Sequence, residues 1–222
     1  MTINAIQSRP ESLGDLVYDA IRMAIVERKL TSTDPITEAS LSKQLGVSKT
    51  PVREALLRLE YIGLIQSGGE RRPSYAVKPS ISAIQHAFEL REPLETCGAA
   101  LAAKNATMKD RKTIKDLARA TFPARWSDSR DFHFRIAEVT RNPYLVRHIA
   151  DAFDLTWALQ GRDLPVGDDS LLCADQHIGI AEAITEGDSR RASERMAEHL
   201  KTAKDLVIRI HGQASAGGAS TD

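Results

Sequence analysis

The stretch GVSKTPVREALLRLEYIGLI, Gly46–Ile65, begins with a turn residue and continues as one helix with two different faces. Its first turns are polar and carry two cations, through Ser48, Lys49, Thr50 and Arg53. The apolar residues that follow recur at helical spacing, which predicts a face packed against other helices. These residues are Leu56, Leu57, Leu59, Ile62 and Leu64.

Two predicted helices precede this stretch and two predicted strands follow it. Apolar residues repeat at helical spacing over residues 13–25, and a second, short helix is predicted between Thr37 and Gly46. Short runs typical of strands, 64–66 and 75–77, flank the flexible loop SGGERRPS. Three helices followed by a β-hairpin are the layout of a winged helix-turn-helix domain.

In that layout the third helix enters the major groove of DNA, so its first turns must be polar and partly cationic. The hairpin forms the wing, whose loop can reach the neighbouring DNA backbone or minor groove. The predicted DNA-binding residues are Ser48, Lys49, Thr50, Arg53, Arg71 and Arg72. The alternative is a solvated helix on a small three-helix bundle with a charged hairpin, because helix-turn-helix spacing is permissive. Charge supports DNA binding only weakly, since residues 1–78 carry 11 Lys and Arg against 9 Asp and Glu.

After the linker Lys78-Pro79-Ser80 the sequence predicts helices only. A long first helix begins at Ile81 and contains Pro93 as a possible kink. Further helices are predicted at 109–120, 128–141, 143–160, 170–186 and 188–210. The final segment QASAGGASTD is small and polar, which favours disorder. We therefore predict a mainly α protein with a winged helix-turn-helix domain at 1–78, an all-helical domain at 79–212 and a disordered tail at 213–222.

The composition argues against a membrane protein and against a protein held by disulfides. The chain has 222 residues and zero formal net charge, and it contains no apolar run of the roughly 18–20 residues that a membrane helix needs. Its start lacks the apolar segment of a signal peptide. Cys97 and Cys173 match no metal or redox spacing. These features predict a cytoplasmic protein.

The segment TEASLSKQLGVSKTPVREAL, Thr37–Leu56, closely resembles the DNA-binding domain of the GntR family of bacterial transcription regulators. The resemblance extends over roughly residues 12–78. It implies DNA contacts at the start of the recognition helix, and the matching positions are Ser48, Lys49, Thr50 and Arg53. This resemblance favours the DNA-binding interpretation over the solvated bundle.

The chain departs from the family pattern at three places near the predicted DNA surface. Lys49 stands where many members have Arg, which favours a phosphate or a looser guanine contact over a rigid bidentate one. Ala39 stands where some relatives carry an Arg that touches DNA. The wing reads Arg71-Arg72-Pro73-Ser74 in place of the usual Arg-Gly tip.

Three histidines of the second half, His133, His177 and His199, lie on three different predicted helices. A helical bundle could bring their imidazoles to one interior point. There they would suit Zn²⁺, Ni²⁺ or a similar ion, completed by water or a carboxylate. The alternative is that each is a separate hydrogen-bonded core or surface residue. The residues alone favour the second interpretation, because a single His on a helix is usually such a residue.

Residues 81–210 resemble the FCD domain, the helical effector-binding domain of the FadR-type branch of the GntR family. In its metal-binding members an Asp and a His one turn apart join two later His residues, and the three His positions match. Ser129 stands at the Asp position. Asp131 lies about 200° around the helix from His133, and Asp128 about 140°. This departure allows either a three-His site completed by water, with Ser129 beside it as a predicted effector-binding residue, or a pocket without metal.

Arg91 matches a charged position on the first helix of that domain. The resemblance implies that it faces the cavity and pairs with the carboxylate of an organic effector. The alternative is a surface ion pair with Glu95, its i,i+4 neighbour.

The sequence thus predicts a homodimeric transcription regulator, a repressor rather than an enzyme. Each subunit would bind half of a palindromic operator, and a small-molecule carboxylate in the helical domain would control binding. A divalent metal, zinc or nickel, is the predicted cofactor. Two alternatives are a metal-dependent hydrolase built on the His cluster, for which the H-E-x-x-H spacing is missing, and a metal-free regulator that binds an acyl thioester.

Overall fold

Helices dominate the part of the chain that this computed structural model describes. The described residues are 12–69, 72–120, 126–160 and 168–217. The chain divides between Lys78 and Pro79 into two compact units. We call Met1–Lys78 the winged unit and Pro79–Asp222 the helical unit.

The described part of the winged unit contains three helices followed by a two-stranded antiparallel sheet. Its elements are α1 (Leu13–Val26), α2 (Glu38–Leu45), α3 (Lys49–Tyr61), β1 (Ile65–Gln66) and β2 (Tyr75–Ala76). Ile65 lies opposite Ala76 in the sheet. This order and pairing confirm the predicted winged helix-turn-helix fold.

Local capping explains where the helices begin and end. Ser12 and Asp15 form a reciprocal capping box at the start of α1. The Thr37 hydroxyl accepts a hydrogen bond from the Ser40 N–H at 3.2 Å and so caps α2. Gly46 ends α2 with φ of 67°, a left-handed conformation that costs glycine little.

The core of the winged unit lies between α1 and α3, which pack against each other. The buried residues of these two helices are Val17, Ile21, Ile25, Val26, Val52, Ala55 and Leu59. Leu57 was predicted to belong to the apolar face, but it is 60% exposed. The reason is its angular position, because two residues turn a helix by about 200° and place Leu57 opposite Ala55 and Leu59.

An additional pairing links the loop before α2 to the hairpin. Ile36 and Ser74 exchange backbone hydrogen bonds of 2.8 and 2.9 Å as an isolated antiparallel bridge. Sequence patterns did not predict it, since a single paired residue has no periodicity. The bridge links the segment before α2 to the hairpin. The start of α2 and the hairpin line one groove together with α3.

The described part of the helical unit is built from six helices. They are α4 (Ile81–Asn105), α5 (Met108–Ala120), α6 (Trp126–Val139), α7 (Pro143–Gln160), α8 (Asp168–Glu186) and α9 (Ser189–Gly217). Pro93 lies inside α4 without ending it. Helix α4 is central, since it contacts α6, α7, α8 and α9. Within the described residues, none of these helices combines the length and apolar character that a membrane span requires.

The last helix is longer than the sequence suggested. Helix α9 continues to Gly217, so residues 213–217 of the predicted disordered tail are helical, and residues 218–222 lie outside the described residues. Adding residues to an existing helix costs little compared with starting one, and two of the five added residues are Ala, the best helix former.

Gly46→Ala should destabilise the winged unit, because alanine must then adopt the left-handed conformation that Gly46 has. The expected loss in the free energy of unfolding is about 1–2 kcal/mol. The measurement is urea unfolding followed by far-UV circular dichroism.

Gly14→Ala is the matched control in the same unit. Gly14 lies inside α1, and a Cβ there would meet the Ser12 hydroxyl at 3.5 Å, an ordinary contact. This variant should gain about 0.5–1 kcal/mol, because alanine loses less entropy than glycine in a helix. A shift of both variants in the same direction would contradict the assigned backbone conformations.

Candidate DNA interface and candidate metal centre

The start of α3 presents polar side chains to solvent. Ser48 is the N-cap residue of α3, yet its hydroxyl makes no capping hydrogen bond. Ser48, Lys49 and Thr50 are all exposed. Their hydroxyl and ammonium groups therefore remain available to an external partner, at a helix N-terminus whose dipole favours anions.

Arg53 follows one turn later and is held by a carboxylate of α2. Arg53 Nε donates to Glu38 Oε1 at 2.7 Å, and Nη2 donates to Oε2 at 2.8 Å. Such a two-pronged pair fixes the plane of the guanidinium. The hydrogen bonds from Arg53 also hold the pKa of Glu38 below its usual value. The Arg53 side chain nevertheless remains 63% exposed.

A groove of about 480 Å³ lies between α2, α3 and the hairpin. Three of the predicted DNA-binding residues, Lys49, Arg53 and Arg72, line it together. Glu38 and Glu60 line the same groove. The winged unit thus gathers cations from the helix and from the wing on one surface, with two carboxylates among them.

Of the other predicted contacts, Ser48 and Thr50 lie on the exposed first turn of α3, and Arg71 lies outside the described residues. Sequence reasoning missed Glu38. It precedes Arg53 by 15 residues, so no helical periodicity connects the two, and only the packing of α2 against α3 brings them together.

In the helical unit, three buried histidines converge from three helices. His133 comes from α6, His177 from α8 and His199 from α9. His199 Nε2 lies 3.1 Å from His177 Nε2 and 3.2 Å from His133 Nε2. Among the described residues, this trio is the group of His, Cys, Asp or Glu side chains that could hold a metal ion.

The arrangement of the three imidazoles suits coordination of a metal ion better than hydrogen bonding among the rings. The His133 Nδ1–H donates to Glu95, which leaves a lone pair on His133 Nε2. Each neutral ring has a single N–H. At most one of the two contacts of His199 Nε2 can therefore be a linear hydrogen bond. Nitrogen atoms about 2.0–2.1 Å from a tetrahedral ion would lie roughly 3.3 Å apart, close to the observed separations.

Burial favours the neutral form of all three rings, which is the form that binds metals. Desolvation lowers the pKa of His133, although the Glu95 carboxylate partly offsets the effect. Desolvation and the neighbouring rings lower the pKa values of His177 and His199 well below the usual value. His199 Nδ1 is buried and has no hydrogen-bond partner among the described residues. The cluster is therefore a set of buried imidazoles whose neutral forms can offer lone pairs to a metal ion.

Glu95 links this cluster to Arg91. Its carboxylate accepts hydrogen bonds from Arg91 Nε on the same helix and from His133 Nδ1 on α6. Burial raises the pKa of Glu95, but the charge of Arg91 and the hydrogen bonds from His133 and Arg91 outweigh burial and lower that pKa to about 2. Glu95 is therefore ionised, and it fixes the tautomer and orientation of His133 as carboxylates do behind metal-binding histidines.

The two sequence interpretations of Arg91 were a cavity residue and a surface ion pair with Glu95. The structure combines them, because the pair forms but is buried, with side-chain exposures of 7% and 2%. Arg91 also lines a cavity of about 60 Å³. Sequence reasoning missed the role of Glu95, since i,i+4 spacing shows that two residues are neighbours but not whether their face is buried.

The cavity opens beside the histidine cluster. Its lining includes all three histidines, Arg91 and Ser129, with Phe153 and Trp157 as aromatic walls. Among the described lining residues, none is a carboxylate. Asp131 is exposed, in line with its predicted angle, and the side chain of Asp128 lies outside the described residues. Ser129 thus lines the cavity at the position where the sequence comparison expects Asp.

Comparison with known protein families matches both units. Residues 13–72 match the gntR family of bacterial regulatory proteins, and residues 86–202 match the FCD domain. The second match alone covers more than half of the chain.

Individual relatives support the same assignment. The HTH-type transcriptional repressor RspR of Escherichia coli is 25% identical to this chain over 227 residues, which covers 97% of each chain. The Uxu operon regulator of Haemophilus influenzae is 28% identical over 195 residues, 78% of this chain and 73% of the relative. The solved structure of E. coli McbR/YncC has the same fold, with a TM-score of 0.77 at 18% identity, and the match covers 91% of this chain and all of that one.

The winged helix-turn-helix, the exposed polar start of α3 and the two family matches lead to one conclusion. The chain belongs to the GntR family of bacterial transcription regulators and carries an FCD domain as its helical unit.

Proposed function

We propose that the chain is a homodimeric repressor whose operator binding is controlled by a small carboxylate and a divalent metal ion in the helical unit. The observation that carries this proposal is the convergence of three histidine Nε2 atoms in a cavity that Arg91 also lines. The proposal of repression draws on relatives named as repressors, such as RspR. A regulator of bacterial genes acts on chromosomal DNA, so we place its action in the cytoplasm.

The start of α3 is the proposed contact surface for the operator. Ser48, Lys49 and Thr50 are exposed at a helix N-terminus, and Arg53 and Arg72 line the adjacent groove. One small module makes few base contacts, so two copies on a palindromic site supply the specificity that a genome requires. We therefore propose a homodimer, with Arg71 as a further wing contact.

The three histidines are the proposed ligands of a zinc or nickel ion, for which neutral imidazole is a suitable donor. Such an ion would supply a Lewis acid that binds carboxylate oxygen. Glu95 orients His133, and Ser129 lines the cavity beside the three rings. Three protein ligands leave at least one coordination position for another donor.

Charge favours an anionic effector in this cavity. The buried Glu95 carboxylate balances Arg91, so the charge of a divalent ion would remain uncompensated by the described lining residues. Within the described part of the chain, Arg91 donates a hydrogen bond only through Nε, to Glu95, and its remaining N–H groups suit a carboxylate. A small organic acid would neutralise the ion and satisfy Arg91 together.

The two alternative functions have less support. A metal-dependent hydrolase needs a general base near the open coordination position, and none of the described lining residues is a carboxylate. The named relatives reported above are regulators. A cavity of about 60 Å³ holds only a few non-hydrogen atoms, so most of an acyl thioester would lie outside it. We therefore propose no enzymatic activity and an effector the size of a short-chain hydroxy acid or dicarboxylate.

Control would operate by a shift between two populations of the dimer with different affinities for the operator. The effector must bind one of them better, since a ligand with equal affinity for both shifts nothing.

Arg53→Ala should weaken binding to a DNA duplex that the wild-type chain has selected from a randomised library. Losing a bidentate arginine contact costs about 1–3 kcal/mol, so the expected loss is about tenfold or more. Fluorescence anisotropy measures the affinity. Lys29→Ala is the control, because Lys29 is an exposed cation that does not line the groove. Equal affinities of Arg53→Ala and the control would contradict the DNA interface proposed for α3.

His177→Ala should abolish metal binding by the chain. Untagged wild-type protein purified without chelator should carry close to one zinc or nickel ion per chain, and the variant should carry almost none, because two histidines hold an ion far less firmly than three. Elemental analysis gives the metal content. His148→Ala removes an exposed histidine of α7 and should keep the metal. A wild-type chain that never takes up either ion would disprove the metal site.

Small carboxylates should bind the metal-loaded chain more tightly than the metal-free chain. Lactate and malonate are suitable first probes, because both fit a cavity of this size and offer two oxygen donors. Isothermal titration with and without zinc measures both affinities, and the same linkage should make zinc bind more tightly when the acid is present. A palmitoyl thioester should not bind. Equal affinities for the acids with and without metal would refute direct contact between ion and effector.

A further inference from the structure

The ion pair between Glu38 and Arg53 joins the two helices of the helix-turn-helix at the candidate DNA surface. Glu38 is the first residue of α2, and Arg53 lies in the second turn of α3. Both carboxylate oxygens accept hydrogen bonds from one edge of the guanidinium, formed by Nε and Nη2, at 2.7 and 2.8 Å.

This geometry leaves a second edge of Arg53 intact. A guanidinium has five N–H donors, and the pair with Glu38 uses two of them. Among the described residues, Arg53 makes no other hydrogen bond, so both N–H groups of Nη1 and one of Nη2 remain. These donors form the end of the side chain, which is 63% exposed and lines the groove.

The intact edge has the spacing that guanine requires. Guanine offers O6 and N7 as two acceptors in the major groove, and a bidentate arginine is the commonest specific contact to it. A freely rotating arginine would lose side-chain entropy when it made that contact, whereas a guanidinium already held in one plane loses less.

We infer that Glu38 is a specificity-determining residue, which holds the guanidinium of Arg53 so that its second edge reads a guanine in the operator. The inference rests on the proposed role of Arg53 in operator binding and adds to it both a positioning partner and a base.

A negative charge at this place has a cost that makes the inference testable. A carboxylate in a groove facing DNA repels the phosphates of any sequence, operator or not. If Glu38 positions Arg53, its removal should weaken binding to the operator but strengthen binding to unrelated DNA. If Glu38 acts only through its charge, its removal should strengthen binding to the operator and to unrelated DNA alike.

Glu60 provides the matched control for charge. It lines the same groove, and the structure gives it no ion pair with Arg53 or with any other described residue. Glu60→Gln therefore removes one negative charge from the groove without releasing Arg53. Glu38→Gln removes the same charge and also exchanges the strong two-pronged pair for a weaker contact.

The experiment compares five chains: wild type, Glu38→Gln, Glu60→Gln, Arg53→Ala and the double variant Glu38→Gln with Arg53→Ala. Each is titrated with the duplex that the wild type selects from a randomised library and with a scrambled duplex of the same length and composition. The specificity ratio is the affinity for the selected duplex divided by the affinity for the scrambled one. Thermal unfolding midpoints close to wild type confirm that the variants are folded, since an exposed ion pair contributes little stability.

We expect Glu60→Gln to raise both affinities and leave the specificity ratio unchanged. Glu38→Gln should raise the affinity for scrambled DNA by a similar factor and lower the specificity ratio severalfold, because the released arginine must now be immobilised when it contacts the base. In the Arg53→Ala background Glu38→Gln should behave like Glu60→Gln, because no guanidinium remains to be positioned.

A contact between Arg53 and a guanine can also be tested by changing the DNA. Replacing guanines of the selected duplex one at a time by 7-deazaguanine removes the N7 acceptor. One guanine per half-site should then lower wild-type affinity severalfold while leaving the affinity of Arg53→Ala unchanged. If every guanine is tolerated by the wild type, Arg53 does not read a guanine and the inference fails.

The failure of this inference can be told apart from the failure of the proposed function. If Arg53→Ala loses operator affinity but Glu38→Gln keeps the specificity ratio of Glu60→Gln, Glu38 only screens phosphate and the inference is overturned. If Arg53→Ala itself binds the selected duplex like wild type, the proposed DNA contact of Arg53 is wrong. Random-library selection that enriches no sequence would instead overturn the proposal of a specific operator.

Discussion

The helical unit depends on the balance of two buried charges, the Arg91 guanidinium and the Glu95 carboxylate. Both sit on α4, the helix that contacts four others, and their side chains are almost fully buried. Removing either partner would leave an uncompensated charge in the core, which costs several kcal/mol. The same carboxylate holds the ring of His133 on α6. The ion pair allows the two charges of α4 to be buried. Through Glu95 it also orients His133, one of the three candidate metal ligands.

Patterns within single elements were sufficient to predict most of the helices and the hairpin, and their order along the chain. Apolar residues at helical spacing marked most of the helices, and capping residues such as Ser12, Thr37 and Gly46 marked where two of them begin or end. The exposed polar turn from Ser48 to Thr50 could be predicted because a helix start that avoids apolar residues must face solvent or a polar partner. These are local rules, and they need only residues close together in the sequence.

The contacts between elements were beyond such rules. The sequence suggested that three histidines converge, but their common direction depends on how α6, α8 and α9 pack. The pair of Arg91 and Glu95 was visible as i,i+4 spacing, yet its burial was not, because charged residues on a helix usually mark its solvated face. Glu38 and Arg53 meet across a turn whose geometry no hydrophobic pattern encodes. In each case the missing information is which faces of the helices turn toward each other.

Both candidate sites use a carboxylate to position a partner rather than to contact a ligand. Glu38 holds an arginine at the candidate DNA surface, and Glu95 holds an arginine and a histidine at the candidate metal centre. In the helical unit this leaves three neutral nitrogen donors facing a cavity without a described carboxylate. An ion bound there would keep most of its charge in a poorly solvated site, so an anion from solution would stabilise the ion strongly. A permanent carboxylate at the position of Ser129 would neutralise part of that charge within the protein and weaken the linkage. With serine at this position, the retention of a metal ion bound there would respond to the concentration of a carboxylate in solution.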